Sequence, residues 1–398
     1  MAVPHQTPVI RLLPGRHKRA LAGHPWIYSN EVAMDQAAKA LPPGEVVTVE
    51  AADGRAVATA FFNPHSLIAA RILAPAAGAA VDRIFLAHRL ERALALRETL
   101  YERPFYRLVH AESDGFPGLV VDRLGDVLVC QANSAGMDRL EGELLAALGE
   151  VVHPRAIVLR NDSPVRALEG LDQHQRVAVG ELSPPVEIEE NGVRFLVDPL
   201  GGQKTGWFFD QRDNRAFVAR LARGRTVLDV YAYVGGFGIE AAVAGAARVT
   251  ALDRSEAALD LAGRAAALNG VAERCTFRRA EAFEELERLA AADERFGIVV
   301  CDPPAFVKSK KDLASGAKGY RKLARLASAL VEPGGFLFIA SCSHHMDAAL
   351  FAEEVHRGLA QAGRAGRVLR QAGAGADHPV HPFLPESAYL KAEAIALD

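Results

Sequence analysis

Two apolar segments in the C-terminal half of the chain end in side chains that could do chemistry. The apolar residues 299–301 are followed by Asp-Pro-Pro-Ala-Phe at 302–306, and the apolar residues 338–340 by Ser-Cys-Ser at 341–343. A thiolate at Cys342 could add to C6 of a cytosine, which makes C5 nucleophilic enough to accept a methyl group. Asp302 could hold the N3/N4 edge of the base and assist this addition. The alternative for Cys342 is a buried structural cysteine.

The segment 302–306 is similar to the Asp-Pro-Pro-x-Phe motif of class I methyltransferases, which act on planar nitrogen atoms or on base carbons. Its prolines fix the backbone beside a methyl donor, and Phe306 could stack on a flipped base. The motif also fits N-methylation of guanine or adenine in RNA, with Cys342 incidental. A structural role, in which the two prolines merely end the strand, is the remaining alternative.

Three carboxylates could hold a small cofactor. Asp229, Asp253 and Glu281 follow or end three successive predicted strands. A carboxylate at Asp253 suits the hydroxyls of a ribose, and Glu281 could lie at an adenine edge. Asp229 could instead cap the helix that follows, and Asp253 with Ser255 could start the next one.

The turn after the first of these strands favours S-adenosylmethionine over a dinucleotide. Gly235 and Gly236 allow the backbone to approach a ligand closely. The sequence is not G-x-G-x-x-G, and Tyr231 and Tyr233 would obstruct a pyrophosphate. We therefore predict an S-adenosylmethionine site formed by these residues: Asp229, Tyr231, Tyr233, Gly235, Gly236, Asp253, Glu281 and Asp302.

These residues need an element pattern that brings strand ends together. From about residue 225, strand and helix candidates alternate, which predicts parallel strands with helices on both faces. Ligands bind at the carboxyl ends of such strands. Residues 1–80 are β-rich, with a predicted hairpin around Asp53-Gly54. Between them, a helix is predicted over 83–101, a hairpin over 118–131, a helix over 138–148 and a strand over 156–160. A boundary is expected near residue 185.

Composition excludes several classes. The 398 residues hold 46 Lys and Arg against 49 Asp and Glu, a net charge of −3, so the chain is not a generally basic nucleic-acid-coating protein. No segment approaches the roughly 18 apolar residues of a membrane helix, and the opening residues have no signal-peptide pattern. The four cysteines form no C-x-x-C pair. We expect a cytoplasmic protein with reduced thiols, no metal site, and Cys130, Cys275 and Cys301 in the core.

Two segments are nevertheless locally basic. Residues 11–19 contain four cations and no acid, and Trp26 follows them; residues 308–322 contain six cations and one acid. Cations beside aromatic rings suit single-stranded RNA. We predict RNA contacts from these side chains: Arg16, Lys18, Arg19, Trp26, Phe306, Lys308, Lys310 and Lys311. The alternative is a solvated surface.

The chain resembles the RlmI-like family of bacterial 23S rRNA (cytosine-C5) methyltransferases over nearly its whole length. The matching segments are GHPWIY at 23–28, ESDGFPG at 112–118, KTGWFFDQRDNR at 204–215, YAYVGGF at 231–237, DPPAF at 302–306, SCS at 341–343 and DHP at 377–379. Two departures stand out. Ala305 occupies the place of the second cysteine of two-cysteine RNA cytosine methyltransferases, and Asp229 stands where relatives often carry Asn.

The resemblance implies three domains: a PUA-like RNA-binding domain at 1–78, a central α+β domain at 79–187, and a Rossmann-like methyltransferase domain at 188–398. It implies Cys342 as the nucleophile, Gln211 and Arg212 as S-adenosylmethionine contacts, and a homodimer. We therefore expect an enzyme that forms 5-methylcytosine in 23S rRNA. The alternatives are the RNA N-methyltransferase and a non-catalytic ribosome-assembly factor with a vestigial methyltransferase domain.

Overall fold

The computed structural model describes residues 7–398, and its contacts divide the chain into two compact units. The first holds the residues up to 184 and two returning segments, 199–207 and 377–387; the second holds 185–198, 208–376 and 388–398. The absence of a signal peptide was predicted from the opening residues. Of these, residues 1–6 lie outside the described residues. In the described part of the chain, no helix is long and apolar enough to cross a membrane.

The first unit starts with a five-stranded sheet in the order β1-β3-β4-β5-β2. Its elements are β1 (Val9–Arg11), α1 (His17–Leu21), β2 (Trp26–Ile27), α2 (Gln36–Lys39), β3 (Glu45–Glu50), β4 (Ala56–Phe62) and β5 (Ala70–Ala74). The predicted hairpin at Asp53-Gly54 is confirmed, because β3 and β4 pair antiparallel around it. The Arg55 N–H donates to Asp53 Oδ1 at 3.0 Å, and Gly54 has a φ of +83°, which favours glycine.

A second five-stranded sheet in the same unit has the order β10-β9-β8-β7-β6. Its elements are α3 (Arg83–Leu100), β6 (Phe105–His110), β7 (Leu119–Leu124), β8 (Val127–Ala132), α4 (Ala135–Arg139), α5 (Glu141–Val152), β9 (Ala156–Asn161) and β10 (His174–Gly180). The hairpin of β7 and β8 and the strand β9 are confirmed. The single helix predicted over 138–148 is wrong in its bounds. The chain turns helical earlier, where Ser134 Oγ accepts the Met137 N–H, and forms two helices.

Helix α3 confirms the helix predicted over 83–101. Leu86, Leu90 and Arg97 are buried at helical spacing. Ile84 and Leu100 are apolar but 59% and 43% exposed. The inward position of the last turn is taken instead by the Arg97 guanidinium, which is paired with Asp114 at 2.7 Å.

The second unit contains a β-hairpin and a seven-stranded sheet of order β15-β14-β13-β16-β17-β19-β18. Its strands are β11 (Val186–Glu190), β12 (Val193–Val197), β13 (Thr226–Val230), β14 (Arg248–Asp253), β15 (Cys275–Arg279), β16 (Phe296–Cys301), β17 (Val331–Ser341), β18 (Gly366–Ala372) and β19 (Lys391–Leu397). Its helices are α6 (Arg212–Leu221), α7 (Gly236–Val243), α8 (Glu256–Leu268), α9 (Ala282–Ala291), α10 (Leu313–Ala329) and α11 (Ala348–Gln361). The α/β, Rossmann-like prediction is confirmed.

The order of this sheet fixes where a ligand can bind. Strands β13 to β17 are parallel, and β19 runs antiparallel between β17 and β18. All six residues of β16 are buried, as expected of a central parallel strand covered on both faces. The chain reverses its direction of winding between β13 and β16, and the crevice at such a switch point is the general ligand site of open α/β sheets.

Candidate active site

The loop after β13 turns sharply at this crevice. Tyr231, Tyr233 and Gly235 all have positive φ values, of 66°, 51° and 82°. A tyrosine in this conformation costs about 1–3 kcal/mol, a strain that clusters at functional sites. The φ of Gly235 favours glycine, and a Cβ there would also lie 2.8 Å from Ile239 Cδ1. Gly236 then begins α7 and is buried.

Asp229 is buried inside β13 and holds the start of α7. Its Oδ2 accepts the Gly238 N–H at 2.8 Å, which is the helix-capping alternative considered for this residue. Burial raises the pKa of Asp229 to about 7, and the nearby Asp302 and Asp253 act in the same direction. A Cβ at Gly238 would approach the Asp229 Oδ2 to 3.1 Å. The Asp229 carboxyl group therefore fixes, from the buried side, the loop that leads from β13 into α7.

Asp253 lies at the end of β14 and contacts the same loop. Its Oδ2 accepts the Tyr233 N–H and its Oδ1 accepts the Ser255 N–H, each at 2.8 Å. The cap of α8 is Ser255, whose Oγ accepts the Ala258 N–H. Because a carboxylate can accept about four hydrogen bonds, Asp253 retains acceptor capacity for two hydroxyl groups.

Glu281 lies one strand further along, at the N-terminal position of α9. Its side chain is 59% exposed, and its Oε1 lies 3.9 Å from the Arg254 guanidinium. Arg254, which directly follows Asp253, is a candidate that the sequence analysis missed. The sequence feature that could have identified Arg254 is its position immediately after a strand-end carboxylate.

Asp302 accepts a hydrogen bond from the first of two linked side-chain amides, Gln211 and Asn214, at the start of α6. Gln211 Nε2 donates to Asp302 Oδ1 at 2.9 Å, and Asn214 Nδ2 donates to Gln211 Oε1 at 2.7 Å. Gln211 is 2% exposed, so its amide cannot turn away easily. Asn214 was missed, although its i,i+3 spacing from Gln211 puts the two on one helix face.

Arg212 points to a different set of partners from Gln211. Its Nε lies 3.4 Å from Glu190 Oε2, and its guanidinium lies over the Phe209 ring at 5.3 Å. Arg215 shares the same carboxylate at 3.0 Å. The structure therefore places Arg212 in a buried ion-pair cluster with Glu190, and its role as a cofactor contact stays a prediction.

The Tyr320 hydroxyl group bonds to both of the loops 302–307 and 341–343. Tyr320 of α10 is fully buried, and its oxygen accepts the Ser341 hydroxyl at 2.8 Å and lies 2.9 Å from Ser343 Oγ. The Phe306 N–H points to the same oxygen at 3.4 Å. Cys342 stands between the two serines and is half-buried. Tyr320 thus holds the thiol-bearing loop and the Asp-Pro-Pro-Ala-Phe loop in one arrangement.

Helix α10 comes very close to the loop that it positions. A Cβ at Gly316 would lie 2.5 Å from Val307 Cγ2 and 2.7 Å from the Phe306 carbonyl oxygen. The Val307 N–H in turn donates to Ser343 Oγ at 3.2 Å. The Phe306 ring lies 4.7 Å from the Tyr320 ring. A glycine at this point of α10 is what permits the close approach.

Replacing Tyr320 with phenylalanine is expected to loosen both loops at once. The substitution keeps the ring packing and leaves the buried partners of the hydroxyl unsatisfied, at a cost of about 1–3 kcal/mol. Chemical denaturation should show this loss. Tyr106→Phe is the matched control, because Tyr106 is also buried and its hydroxyl accepts one bond from Arg123. Methyl transfer should decline in the Tyr320 variant and not in the control; equal activity in both would contradict the positioning role.

The four cysteines differ in environment. Burial raises the pKa of Cys130 and of Cys301 far above the usual range for a thiol, which fits their predicted place in the core. The prediction for Cys275 is wrong: it is half-buried at the start of β15, because β15 is an edge strand. Burial still raises its pKa to about 11. Among the described residues, no group of three or more His, Cys, Asp or Glu could hold a metal ion.

The two basic segments keep only part of their charge exposed. Arg16 and Lys18 are exposed, whereas Arg19 is paired with Glu31 at 2.7 Å and the Trp26 indole donates to Glu112 at 2.7 Å.

In the second segment, Lys308, Lys310 and Lys311 are exposed, and no ion pair of the described residues includes them. Arg321 and Lys322 are paired with Glu354 and Glu287. Fewer cations are therefore exposed and outside ion pairs than the sequence pattern suggests.

The chain is similar to known proteins over most of its length. The family described as "S-adenosylmethionine-dependent methyltransferase" matches residues 171–368, and "PUA-like domain" matches residues 10–75. A relative from Vibrio cholerae, "Ribosomal RNA large subunit methyltransferase I", is 40% identical over 97% of this chain and 98% of its own length. A relative of the same name from Pseudoalteromonas atlantica is 38% identical over 96% of this chain and 97% of its own length.

Solved structures agree on the fold. A SAM-dependent methyltransferase from Streptococcus mutans has a TM-score of 0.82 at 20% identity, covering 98% of this chain and all of that one. The methyltransferase SMU.776, solved in complex with SAH, has the same TM-score and identity and covers 98% of this chain and 99% of that one.

Proposed function

The chain belongs to the ribosomal RNA large subunit methyltransferase I family, and from that premise we propose that it methylates C5 of a cytosine in 23S rRNA through a covalent bond to Cys342. The family membership makes it an S-adenosylmethionine-dependent methyltransferase. The base, the atom and the covalent route are the parts proposed. The observation that carries them is the Tyr320 hydroxyl, which holds the Cys342 loop against the 302–307 loop.

In the proposed reaction, the Cys342 thiolate forms a bond to C6 of the cytosine, and the electron pair displaced from the C5–C6 double bond makes C5 nucleophilic. S-adenosylmethionine, when bound, supplies the electrophilic methyl group that C5 takes. Loss of the C5 proton to a base then restores the double bond, and the C6–S bond breaks to return the thiolate. Asp302, oriented by Gln211, holds the N3/N4 edge of the base throughout.

The residues at the carboxyl ends of β13 and β14 fit the cofactor. Asp253 has acceptors to spare for the ribose hydroxyls, and the tight turn from Tyr231 to Gly236 lets the backbone approach a ligand. Glu281 with Arg254 could take the adenine edge. Asp229 acts through the start of α7, because it is buried and its Oδ2 accepts the Gly238 N–H.

The substrate follows from the family and from the charge distribution. The named relatives are ribosomal RNA large subunit methyltransferases, and each unit of this chain carries exposed cations that suit phosphates. In the first unit these are Arg16 and Lys18, beside the PUA-like sheet; in the second they are Lys308, Lys310 and Lys311. We propose 23S rRNA as the substrate, a cytoplasmic location and a homodimer.

Trapping on RNA that contains 5-fluorocytidine tests the proposal. Fluorine at C5 cannot leave as a cation, so the Cys342–C6 bond persists after methylation and the complex should survive denaturing electrophoresis. Mass spectrometry of the adduct should assign the RNA to the Cys342 peptide. Methylated guanine or adenine without an adduct would support the N-methyltransferase instead. Binding of RNA with no S-adenosylmethionine binding by calorimetry would support the assembly factor.

A further inference from the structure

Lys391 is a buried cation beside the Cys342 thiol, and the proposed mechanism gives this lysine no role. It begins β19, is 8% exposed, and lies opposite Ser341 in the antiparallel pairing with β17. Its Nζ donates to the Ser343 carbonyl oxygen at 2.6 Å and to the Tyr389 carbonyl oxygen at 2.8 Å. The lysine therefore contacts the backbone on both sides of Cys342.

The partners of Lys391 are neutral. Both hydrogen bonds go to carbonyl oxygens, and none of the ion pairs in the described part of the chain includes this lysine. Buried charges are normally paired, because an unpaired ammonium is costly to remove from water. Burial accordingly lowers the pKa of Lys391 to about 8, while Cys342 and Asp347 act against that shift. Asp347 is one nearby anion, and an anion at Cys342 would supply a second counter-charge beside the carbonyl contacts of Lys391.

We propose that Lys391 is a positioning residue that holds Cys342 as a thiolate. The inference rests on the proposed function, since only a covalent mechanism needs that thiolate. The S–H bond of Cys342 breaks before substrate binds and its proton goes to solvent. A neighbouring lysine favours the thiolate by direct charge attraction, as at other reactive cysteines. The carbonyl contact to Ser343 keeps the ammonium at the loop that carries the thiol.

This arrangement predicts a bell-shaped pH profile for methyl transfer. The rate should rise as Cys342 ionises and fall as Lys391 loses its proton near pH 8. Lys391→Arg should remove the alkaline decline, because a guanidinium stays charged. Other titratable groups are near: on the loop after β17, His344, His345 and Asp347; on α10, Tyr320; before β19, Tyr389; and on β19 itself, Glu393. They are unchanged in this variant, so a difference between the profiles reports on Lys391.

The direct test is the pH dependence of iodoacetamide alkylation at Cys342, followed on its peptide by mass spectrometry without RNA. The wild-type midpoint is expected below about 8.5, the value of a free cysteine. Lys391→Met should raise it by about one pH unit, which lowers the rate at pH 7 roughly tenfold, and Lys391→Arg should keep it low. Lys318→Met, an exposed lysine of α10, is the matched control, and Cys130 is the internal unreactive thiol.

Either of two results overturns the inference: a wild-type midpoint at or above that of free cysteine, or the same midpoint in wild type and Lys391→Met. If the methionine variant does not fold, the wild-type midpoint and the arginine variant still decide. The experiment is separable from the proposed function. Alkylation that depends on Lys391, together with no adduct on 5-fluorocytidine RNA, would retain the activated thiol and reject the cytosine mechanism.

Discussion

Cys342→Ala is expected to reduce methyl transfer by roughly 10³-fold or more, equivalent to about 4 kcal/mol of lost transition-state stabilisation. Cytosine C5 is too weak a nucleophile without addition at C6, and no other thiol can substitute. Cys130 and Cys301 are buried with strongly raised pKa values, and Cys275 lies on the edge strand β15. Transfer of a labelled methyl group to 23S rRNA measures the loss. S-adenosylmethionine affinity, measured by calorimetry, should not change.

Cys275→Ala is the matched control for this variant, because Cys275 is the other half-buried thiol. It should retain full activity. The Cys342 thiol lies at a loop, so its removal leaves no core cavity. Full activity of Cys342→Ala would reject the covalent mechanism in favour of N-methylation, for which the Asp-Pro-Pro-Ala-Phe loop suffices.

Asp302→Asn is expected to lower the turnover rate by about 10²–10³-fold, within the range of a lost acid–base and orienting group. The asparagine keeps the size of the side chain, and its amide oxygen can still accept the Gln211 N–H that now lies 2.9 Å away. The change therefore removes the charge and the proton-transfer capacity of the side chain at position 302 and largely keeps its geometry. Single-turnover kinetics on 23S rRNA should show the loss in the chemical step rather than in RNA binding.

A second variant separates the role of Asp302 from that of Gln211, which orients it. Gln211→Leu should preserve the carboxylate and remove its orienting bond, giving a smaller loss of turnover than Asp302→Asn. Replacing Asn214 in the Gln211→Leu background should cause little further loss, because the amide oxygen to which Asn214 donates is already absent. A loss in Gln211→Leu larger than in Asp302→Asn would instead assign the amide a direct contact with substrate or cofactor.

Much of this site could be predicted from local pattern. Parallel strands end at one edge of their sheet, so Asp253, Glu281, Asp302 and Cys342 had to lie along that edge once the alternation of strands and helices was seen. The buried run before Asp302 likewise identified a central strand. Cys275 was misplaced, because its segment, Glu-Arg-Cys-Thr-Phe-Arg-Arg at 273–279, is mostly polar and forms an edge strand.

Other features depend on pairings between distant residues, which leave no periodic signal. Segments 199–207 and 377–387 return to the first unit, and nothing in their composition marks them. The family resemblance implied Gln211 only as a cofactor contact and not as the hydrogen-bond partner of Asp302, and it did not imply Asn214.

The sequence by itself determined the candidate chemical groups: a thiol and a carboxylate at neighbouring strand ends, beside a turn suited to S-adenosylmethionine. Only the tertiary structure decided how these groups are held. Tyr320 joins two loops through one hydroxyl, and the antiparallel insertion of β19 between β17 and β18 brings Lys391 opposite Ser341. The physical reason is that strand and helix patterns record which face of an element is buried. Register across a sheet and burial of a polar group are set by the whole packed chain.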